Sequence, residues 1–541
     1  MRRFLPKWKL SSTPLNLILS LYFTVVLNLA FFREVFSLSN GELFAYTTPL
    51  VLFVACNIVF NILAIPVLHK IIIPLFLILS AAISYNSLFY NVYFDRDMLT
   101  NVLQTNWAES SRMMSFSYLL WLLALGVLPA VLYLCVKVEY RKWWKELFAR
   151  FAAILASALV VVAVGSVYYQ DYASFFRNNK YLPHLIVPSN FVAATISKIK
   201  HTRMENMPFI QTGKDAKVKK PDDYKHITVI VLGETTRGQN WGLNGYSRQT
   251  TPLMAKRLAS GQNLVNFNNT SSCGTATATS VPCMFSSLNR ENYDEATAKN
   301  QDNLLDTLQH AGVNVQWVEN NSDCKDMCNR VPTVNTIELN LPEFCTEGEC
   351  LDNIMLPELD KALANVKQDT VIVLHTIGSH GPTYFERYTD KERVFTPTCD
   401  TKEISQCSQE ELVNTYDNGI VYIDQFLDKV IARLEQHKEW ESVVYYLSDH
   451  GESLGEKGLF LHSAPYAIAP KEQTHIPMMM WFSDSWTKNE PFDLDCLRKN
   501  AEQPYSHDNF FHTVFSLMDM DMTSLKEYRP ELDILAQCKK K

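Results

Sequence analysis

Four residues spread between positions 234 and 450 have side chains that together could hold a metal ion and supply a nucleophile: Glu234, Thr277, Asp449 and His450. Carboxylate oxygens and imidazole nitrogens are donors that zinc accepts. A threonine is an unusual zinc ligand, but a bound dication lowers the pKa of an attached hydroxyl and makes it reactive near neutral pH. These residue types therefore predict a metal-activated group transfer.

A predicted sheet would bring three of these residues to one edge. Four runs are rich in β-branched or aromatic residues, as expected of strands buried on both faces: His226–Leu232, Val313–Val318, Thr370–His375 and Ser442–Leu447. Helical stretches lie between them: Gln301–Ala311, Leu356–Val366 and Ser408–Gln436. Strands interleaved with helices predict an α/β domain with a mostly parallel sheet covered on both faces. Glu234 and the pair Asp449-His450 directly follow their strands, at the carboxyl ends where ligands gather.

Each candidate also has a structural interpretation. Glu234 could cap the next helix, and the segment Cys273–Cys283 could be a cap rich in threonine and serine. A helix that begins near Thr277 would instead direct backbone N–H groups at an anion such as a phosphoryl group. Asp449 and His450, adjacent at a strand end, can both turn toward one ion.

Two more histidines are flanked by turn residues, His380 in GSHGP and His462 in FLHSAP. Each alone could be a structural histidine that packs among its neighbours. As a pair they could hold a second ion or a phosphate group of the substrate.

The first third of the chain predicts a membrane domain. Five apolar windows contain no Asp, Glu, Lys or Arg: Pro14–Phe32, Tyr46–Leu68, Ile71–Phe94, Phe116–Val136 and Phe151–Tyr169. Each can cross a hydrocarbon layer of ~30 Å as a helix. Ten lysines and arginines in the loops of one side against three on the other place the N-terminus in the cytoplasm. Everything after the fifth window then lies on the far side.

Cysteine usage agrees with this topology. Of twelve cysteines, Cys56 and Cys135 lie in membrane windows and the other ten lie beyond residue 270. An even number in short-range couples indicates disulfides in an oxidising compartment. We expect sequential pairing, although the sequence leaves other connectivities open: Cys273 with Cys283, Cys324 with Cys328, Cys345 with Cys350, Cys399 with Cys407, and Cys496 with Cys538. A zinc site at Cys324 and Cys328 is the alternative, but no second cysteine pair lies nearby to complete it.

These patterns divide the chain of 541 residues into three parts. Residues 1–169 are predicted to form a transmembrane domain of five helices, 170–222 a bridging helix and linker, and 223–541 a catalytic domain on the far side of the membrane, which is the periplasm if the family resemblance described next holds. The aromatic run Tyr168–Arg177 could lie along the membrane surface or pack as an ordinary helix, and Lys214–Asp223 is expected to be a linker. The net charge of −7, without an acidic or basic block, gives no indication of a nucleic-acid partner.

Five motifs together resemble the lipid A phosphoethanolamine transferases: GET around Glu234, SCGTATATSVPCMF around Thr277, HTIGSHGPTY around His380, NTYDN at Asn414–Asn418, and LSDHGESLGEKG around Asp449. These are inner-membrane enzymes of Gram-negative bacteria, and some members confer polymyxin resistance. The resemblance covers nearly the whole chain. It implies an alkaline-phosphatase and sulfatase-like fold for the soluble half.

The resemblance also implies a role for each matching residue. Thr277 would be the nucleophile that carries phosphoethanolamine, and its oxygen would bind zinc together with Glu234, Asp449 and His450. One zinc ion is expected and a second is possible.

Four further positions match the family near its substrate. His380 and His462 would line the phosphoethanolamine site or hold the second zinc ion, and Lys325 and Asn321 would lie near the substrate. Thr279 stands where the family commonly has valine or tyrosine, so a second hydroxyl lies close to the nucleophile in the sequence.

The implied reaction is a two-step transfer from phosphatidylethanolamine to a phosphate of lipid A, performed by a membrane-embedded protein expected to be a monomer. Alternatives are a sugar of the lipopolysaccharide core as acceptor, a phosphoglycerol transferase or hydrolase, and a non-catalytic membrane sensor. A sulfatase is disfavoured, because the nucleophile segment lacks a motif of the Cys/Ser-x-Pro-x-Arg type.

Overall fold

The computed structural model describes residues 9–90, 92–104, 116–219, 224–321, 323–346, 349–401, 404–456, 459–464 and 466–540. The chain divides into two compact units, Met1–Asn206 and Met207–Lys541. Residues 170–206, expected to belong to a separate bridging segment, are thus part of the first unit. The predicted linker Lys214–Asp223 lies partly outside the described residues.

The first unit is helical. In the part described, its α-helices are Ser12–Tyr22, Leu29–Leu38, Leu43–Leu63, Leu68–Tyr90, Arg96–Gln104, Phe116–Leu122, Leu128–Cys135, Trp143–Asn178 and Ser189–Glu205. The π-helical turns Phe23–Leu27 and Leu123–Val127 continue two of them. Among the described residues, four helices are long and apolar enough to cross a membrane, or five if one bent pair is a single span. The expected set of apolar helices is therefore confirmed.

The first of these spans is bent, a feature that its apolar window does not predict. Ser12–Leu27 and Leu29–Leu38 meet at 59° around Asn28. The Asn28 side chain donates to the carbonyls of Phe23 and Val187 at 2.9 and 2.8 Å and accepts from the Val187 N–H at 2.9 Å. These bonds tie the break in the helix to the backbone at Val187. Apolar composition predicts length and burial, but it carries no information on this bend.

The aromatic run after the last membrane window continues the helix Trp143–Asn178, beyond a non-helical residue at Tyr168. Its rings pack on Phe44, whose ring centroid lies 5.3 Å from that of Tyr172 and 5.1 Å from that of Phe175. The inward side of the run therefore packs as an ordinary helix within the first unit.

The second unit is built on a sheet of eight strands. In chain order β1 to β8 are Lys225–Gly233, Leu264–Ser271, Asn314–Glu319, Thr333–Asn335, Thr370–His375, Trp440–Ser448, His475–Phe482 and Tyr505–Ser506. Their order across the sheet is β8-β2-β7-β6-β1-β5-β3-β4. Strand β7 runs antiparallel to β6 and β2, and the other neighbouring pairs are parallel. The mostly parallel α/β sheet is confirmed.

Helices cover both faces of this sheet. In the described part of the unit the α-helices are Pro252–Ala259, Thr277–Phe285, Glu295–Lys299, Leu304–His310, Leu356–Ala364, Gln409–Leu434, Lys471–Thr474, Asp484–Asn489, Leu494–Asn500 and Asp508–Leu517. Alternate residues of β1 enter two different hydrophobic clusters, Ile230 and Leu232 in one, Val229 and Val231 in the other. Both faces are thus buried, which explains why β1 shows no polar alternation in the sequence.

The largest error among the predicted helix bounds is the start of one helix. The helix expected from Gln301 begins at Leu304, because the side chain of Asn303 accepts hydrogen bonds from the N–H groups of Leu305 and Asp306. Asp306 in turn bonds the backbone N–H of Asn303, which completes a capping box.

Five disulfides link the second unit: Cys273–Cys283, Cys324–Cys328, Cys345–Cys350, Cys399–Cys407 and Cys496–Cys538. These are the sequential pairs expected from the sequence. Cys56 and Cys135 are free thiols.

Candidate metal-binding active site

Strands β1 and β6 place three acidic and imidazole side chains next to each other. The two strands pair in parallel, with Gly233 in register with Ser448. The chain continues from these ends into Glu234 and into Asp449 and His450, and the Asp449 N–H donates to the Gly233 carbonyl at 2.9 Å. The side chains of all three are fully buried. The carboxyl edge of the sheet therefore gathers them, as the strand pattern predicted.

The Thr277 hydroxyl lies against this group. Thr277 is the first residue of the helix Thr277–Phe285. Its Oγ1 is 3.0 Å from Oε2 and 3.2 Å from Oε1 of Glu234, and 3.4 Å from Nε2 of His450. The Cys273–Cys283 disulfide closes the loop that leads into this helix. The hydroxyl thus shares one small volume with the carboxylate and the imidazole.

The spacing of these donor atoms fits a tetrahedral metal ion. His450 Nε2 lies 3.4 Å from Glu234 Oε1 and 3.4 Å from Asp449 Oδ2. Ligands at about 2.0–2.2 Å from a tetrahedral zinc ion lie roughly 3.3–3.6 Å apart. Asp449 Oδ2 is buried without a hydrogen-bond partner among the described residues, and such an atom is stabilised by a cation. The arrangement therefore fits a divalent ion of the zinc class.

The charges of the three groups are strongly linked. Burial opposes ionisation of Glu234, but the histidines His450, His380 and His462 outweigh it and hold its pKa well below the usual range. Burial and the Glu234 carboxylate raise the pKa of Asp449 to about 7. Burial lowers the pKa of His450, yet Asp449 and Glu234 outweigh it and raise it to about 9. A dication would displace these protons, so its binding should weaken toward acid pH.

Neighbouring hydrogen bonds fix the orientation of each donor. Asn321 Nδ2 donates to Glu234 Oε2 at 2.8 Å. The backbone N–H of Thr235 donates to Asp449 Oδ1 at 3.0 Å. His450 Nδ1 lies 2.9 Å from the Gly451 carbonyl, so a hydrogen on Nδ1 leaves the lone pair of Nε2 facing the other donors. Asn321 thus orients a candidate metal ligand, and the expected role of Asn321 near the substrate stays a prediction.

A second group of side chains extends the site toward His380 and His462. The ring centroids of His450 and His462 are 4.2 Å apart, and those of His462 and His380 are 5.8 Å apart. His462 Nδ1 is 2.7 Å from Glu452 Oε2, and the Tyr384 hydroxyl donates to Glu452 Oε1 at 2.5 Å. Neither Glu452 nor Tyr384 was predicted as a site residue, although Glu452 stands in LSDHGESLGEKG and Tyr384 ends HTIGSHGPTY.

Lys325 makes a more local contact. Its Nζ lies 3.0 Å from Asp323 Oδ1, and its backbone N–H donates to the same oxygen at 2.7 Å. A role for Lys325 near the substrate stays a prediction.

Comparison with known proteins agrees with the fold and the motifs. A sulfatase family model matches residues 226–520, and a model described as phosphoethanolamine transferase EptA/EptB matches residues 52–203. Phosphoethanolamine transferase EptA of Escherichia coli (strain K12) is 42% identical over 552 residues, covering 100% of this chain and 99% of that protein. The chain belongs to the phosphoethanolamine transferase family.

Two further relatives resemble this transferase over nearly its whole length. Phosphatidylethanolamine transferase Mcr-1 of Escherichia coli is 35% identical and covers 96% of the chain and 97% of that protein. The solved structure of the integral membrane protein lipooligosaccharide phosphoethanolamine transferase A (EptA) from Neisseria meningitidis is 52% identical, with a TM-score of 0.66. It covers 99% of this chain and 100% of that chain. The expected family and the sulfatase-like fold of the second unit are confirmed.

Proposed function

We propose that this transferase moves phosphoethanolamine from phosphatidylethanolamine to a phosphate of lipid A, with Thr277 as the nucleophile. The observation that carries the proposal is the position of the Thr277 hydroxyl, 3.0 to 3.4 Å from atoms of Glu234 and His450. A hydroxyl used only as a helix cap has no need of buried metal-ligand donors around it. Zinc held by Glu234, Asp449 and His450 would lower the pKa of the hydroxyl and stabilise negative charge on the phosphoryl oxygens.

In the first step Thr277 Oγ1 attacks the phosphorus of phosphatidylethanolamine. A bond forms between Oγ1 and phosphorus, the bond from phosphorus to the diacylglycerol oxygen breaks, and diacylglycerol leaves with a proton. The backbone N–H groups at the start of the helix Thr277–Phe285 favour a phosphoryl group at this position. The product is a phosphoethanolamine ester of Thr277.

In the second step a phosphate oxygen of lipid A attacks the same phosphorus. The bond from phosphorus to Thr277 Oγ1 breaks, and the hydroxyl is restored. His380 and His462 are suited to bind the phosphoethanolamine group, because their rings adjoin that of His450, and Glu452 orients His462 through Nδ1. They could instead hold a second zinc ion.

The names of the relatives support both substrates. One is called a phosphatidylethanolamine transferase and another a lipooligosaccharide phosphoethanolamine transferase. Both proposed substrates are membrane lipids, which suits a chain with apolar helices in its first unit. We place the chain in the bacterial inner membrane as a monomer, with the N-terminus in the cytoplasm and the second unit in the periplasm. Five disulfides in that unit fit an oxidising compartment.

The proposed product would also protect cells from polymyxin. Phosphoethanolamine adds an amine to a lipid A phosphate and so reduces the negative field that attracts a cationic peptide. Expression of the wild type should therefore raise the polymyxin concentration that inhibits growth.

The mass spectrum of lipid A tests the proposal. Full-length protein and its Thr277→Ala variant would be expressed in cells whose lipid A carries no phosphoethanolamine. The wild type should add phosphoethanolamine to lipid A, and the variant should add none. A modified core sugar with unchanged lipid A would contradict the acceptor, and full modification by the variant would contradict the nucleophile.

A further inference from the structure

A second group of metal-type donors lies at the opposite edge of the same sheet. It consists of His226, Glu441 and Glu490, named here the distal cluster, and its ligand atoms lie within 4.8 Å of one another. His226 and Glu441 face each other in register at the amino ends of β1 and β6. Glu490 directly follows the helix Asp484–Asn489. The three side chains are 4%, 0% and 6% exposed.

Two carboxylates converge on one ring nitrogen of this cluster. His226 Nε2 lies 2.9 Å from Glu441 Oε2 and 3.0 Å from Glu490 Oε1. Only the contact to Glu490 has hydrogen-bond geometry. Glu441 Oε2 and Glu490 Oε2 are buried without a hydrogen-bond partner among the described residues. A ring nitrogen carries one hydrogen at most, so a proton cannot serve both carboxylates.

Other side chains contact the atoms of Glu441 and His226 that do not take part in the cluster. Asn489 Nδ2 donates to Glu441 Oε1 at 2.8 Å, which leaves Oε2 turned toward the imidazole. Asp369 Oδ1 lies 3.6 Å from His226 Nδ1 and accepts the His226 backbone N–H at 2.9 Å. A carboxylate beside Nδ1 favours a hydrogen there and leaves the Nε2 lone pair for a metal ion. The surroundings therefore resemble those of metal-binding histidines.

We propose that the distal cluster binds a divalent ion of the zinc class through His226 Nε2 and carboxylate oxygens of Glu441 and Glu490. One imidazole nitrogen with two carboxylates suits zinc better than magnesium or calcium, which prefer oxygen ligands alone. A neutral imidazole and two carboxylates carry two negative charges, which a dication balances. Burial of two carboxylates without such a cation would be unfavourable.

The ion would connect three segments that are distant in the sequence. It would join the starts of β1 and β6 to the end of the helix Asp484–Asn489, about 25 Å along the strands from Glu234 and Asp449. Its role is structural, because the proposed nucleophile lies at the other edge of the sheet. The inference does not depend on the proposed transfer reaction.

Metal content separates this site from the proposed catalytic one. Bound metal would be removed from the purified full-length protein with a chelator. The protein would then be incubated with Zn²⁺ and desalted, and its zinc content per molecule would be measured by elemental mass spectrometry. Glu441→Gln and Glu490→Gln together should remove about one zinc equivalent relative to wild type and leave transfer activity within about twofold. Asp449→Asn should remove a different equivalent and abolish transfer. Glu439→Gln is the matched control, since Glu439 lies 3.2 Å from His437 in an exposed pair, and it should change neither quantity.

Thermal unfolding gives a second measurement. Zn²⁺ should raise the Tm of the Asp449→Asn variant, whose distal cluster is intact, and this gain should disappear when Glu441 and Glu490 are also changed. Equal zinc content and equal Tm gain with and without the two glutamates would overturn the proposal. If the variants do not fold, zinc-edge anomalous scattering from wild-type crystals decides. A peak about 2.0–2.2 Å from both His226 Nε2 and Glu441 Oε2 supports the site, and the absence of one overturns it.

Discussion

The imidazole of His507 accepts a hydrogen bond from the backbone N–H of Cys273 at 3.0 Å. Its other nitrogen, Nε2, donates to the Ser448 carbonyl at 2.9 Å. Cys273 begins the disulfide loop that leads to Thr277, and Ser448 ends the strand that leads to Asp449. One buried neutral histidine therefore fixes the distance between the candidate nucleophile and a candidate metal ligand.

This histidine should make stability fall in mild acid. Burial, with a smaller contribution from His450, lowers the pKa of His507 from 6.5 to about 4. Between about pH 6.5 and 4 this histidine is protonated in the unfolded chain but not in the folded chain. Its contribution to the free energy of unfolding is therefore complete above about pH 6.5 and is lost as the pH falls toward 4. The loss is about 3 kcal/mol at most. Denaturant unfolding between pH 7 and 4 should show a flatter profile for His507→Gln.

His512 is the control for this effect. Burial, with a smaller contribution from Arg529, lowers its pKa to about 4 as well, but its Nδ1 accepts from the Arg529 N–H at 3.3 Å, outside the candidate site. His512→Gln should therefore flatten the same pH window without lowering kcat, whereas His507→Gln should lower kcat. Equal kcat in both variants would count against a positioning role for His507.

Thr277 should be replaceable by serine and not by alanine. Serine keeps a hydroxyl that can approach Glu234 and His450, whereas alanine removes the attacking atom. We expect Thr277→Ser to keep transfer within about tenfold and Thr277→Ala to lose more than about a thousandfold. Intact-protein mass spectrometry after incubation with phosphatidylethanolamine should find the adduct only where a hydroxyl remains.

Thr279 offers a matched control on the same helix. It is exposed and has the same side chain two residues further on. Thr279→Ala should keep both the adduct and the turnover. If the adduct were lost in Thr279→Ala and kept in Thr277→Ala, the nucleophile would be Thr279.

Asn321 should tune the affinity of the site for zinc. Its Nδ2 donates to Glu234 Oε2 at 2.8 Å and to the Thr376 carbonyl at 3.1 Å. Without this donor the carboxylate loses one of the groups that orient it, so Asn321→Ala should weaken zinc binding about 10- to 100-fold, measured by competition with a chelator.

The adjacent Asn320 is the comparison. It donates to the Cys350 carbonyl and to Asp352 Oδ1, both at 2.9 Å. Asn320→Ala should lower the free energy of unfolding while the zinc affinity stays at the wild-type value. Equal zinc affinities in the two variants would contradict the proposed role of Asn321 in orienting Glu234.

Removal of two different disulfides should affect the free energy of unfolding and the transfer activity to different extents. Cys273–Cys283 closes a separation of 10 residues and Cys496–Cys538 one of 42. Loop entropy then predicts losses of about 3 and about 4 kcal/mol when each pair is changed to alanine. The smaller loss should nevertheless come with the larger fall in transfer, because only the first pair encloses Thr277. A fall in activity that follows stability alone would argue against this role.

The strands that lead into the candidate site were easier to predict from the sequence than the rest of the sheet. The strands β1, β5 and β6 are β-branched or aromatic runs, so both their positions and their carboxyl ends could be identified. Strand β2 contains three asparagines, and β7 contains Pro477 and three methionines, so neither has the composition typical of a strand. Their pairing depends on contacts made after folding.

The supporting residues were harder to predict for a related reason. Glu234, Thr277, Asp449 and His450 stand in recognisable motifs. His507 stands in none, and its importance depends on two backbone groups far from it in the sequence. Isolated polar residues of this kind become informative only when the tertiary contacts are known.

Strand β1 pairs with β6, and Lys225 lies opposite Trp440. This contact joins distant parts of the chain, so its formation requires closure of a long loop and should be slow. The candidate metal ligands that follow these strands thus come together late in folding, only when β1 and β6 have paired. A chain that stops before Trp440 would contain Glu234 and Thr277 but would lack Asp449 and His450, so it could not assemble the complete set of candidate ligands.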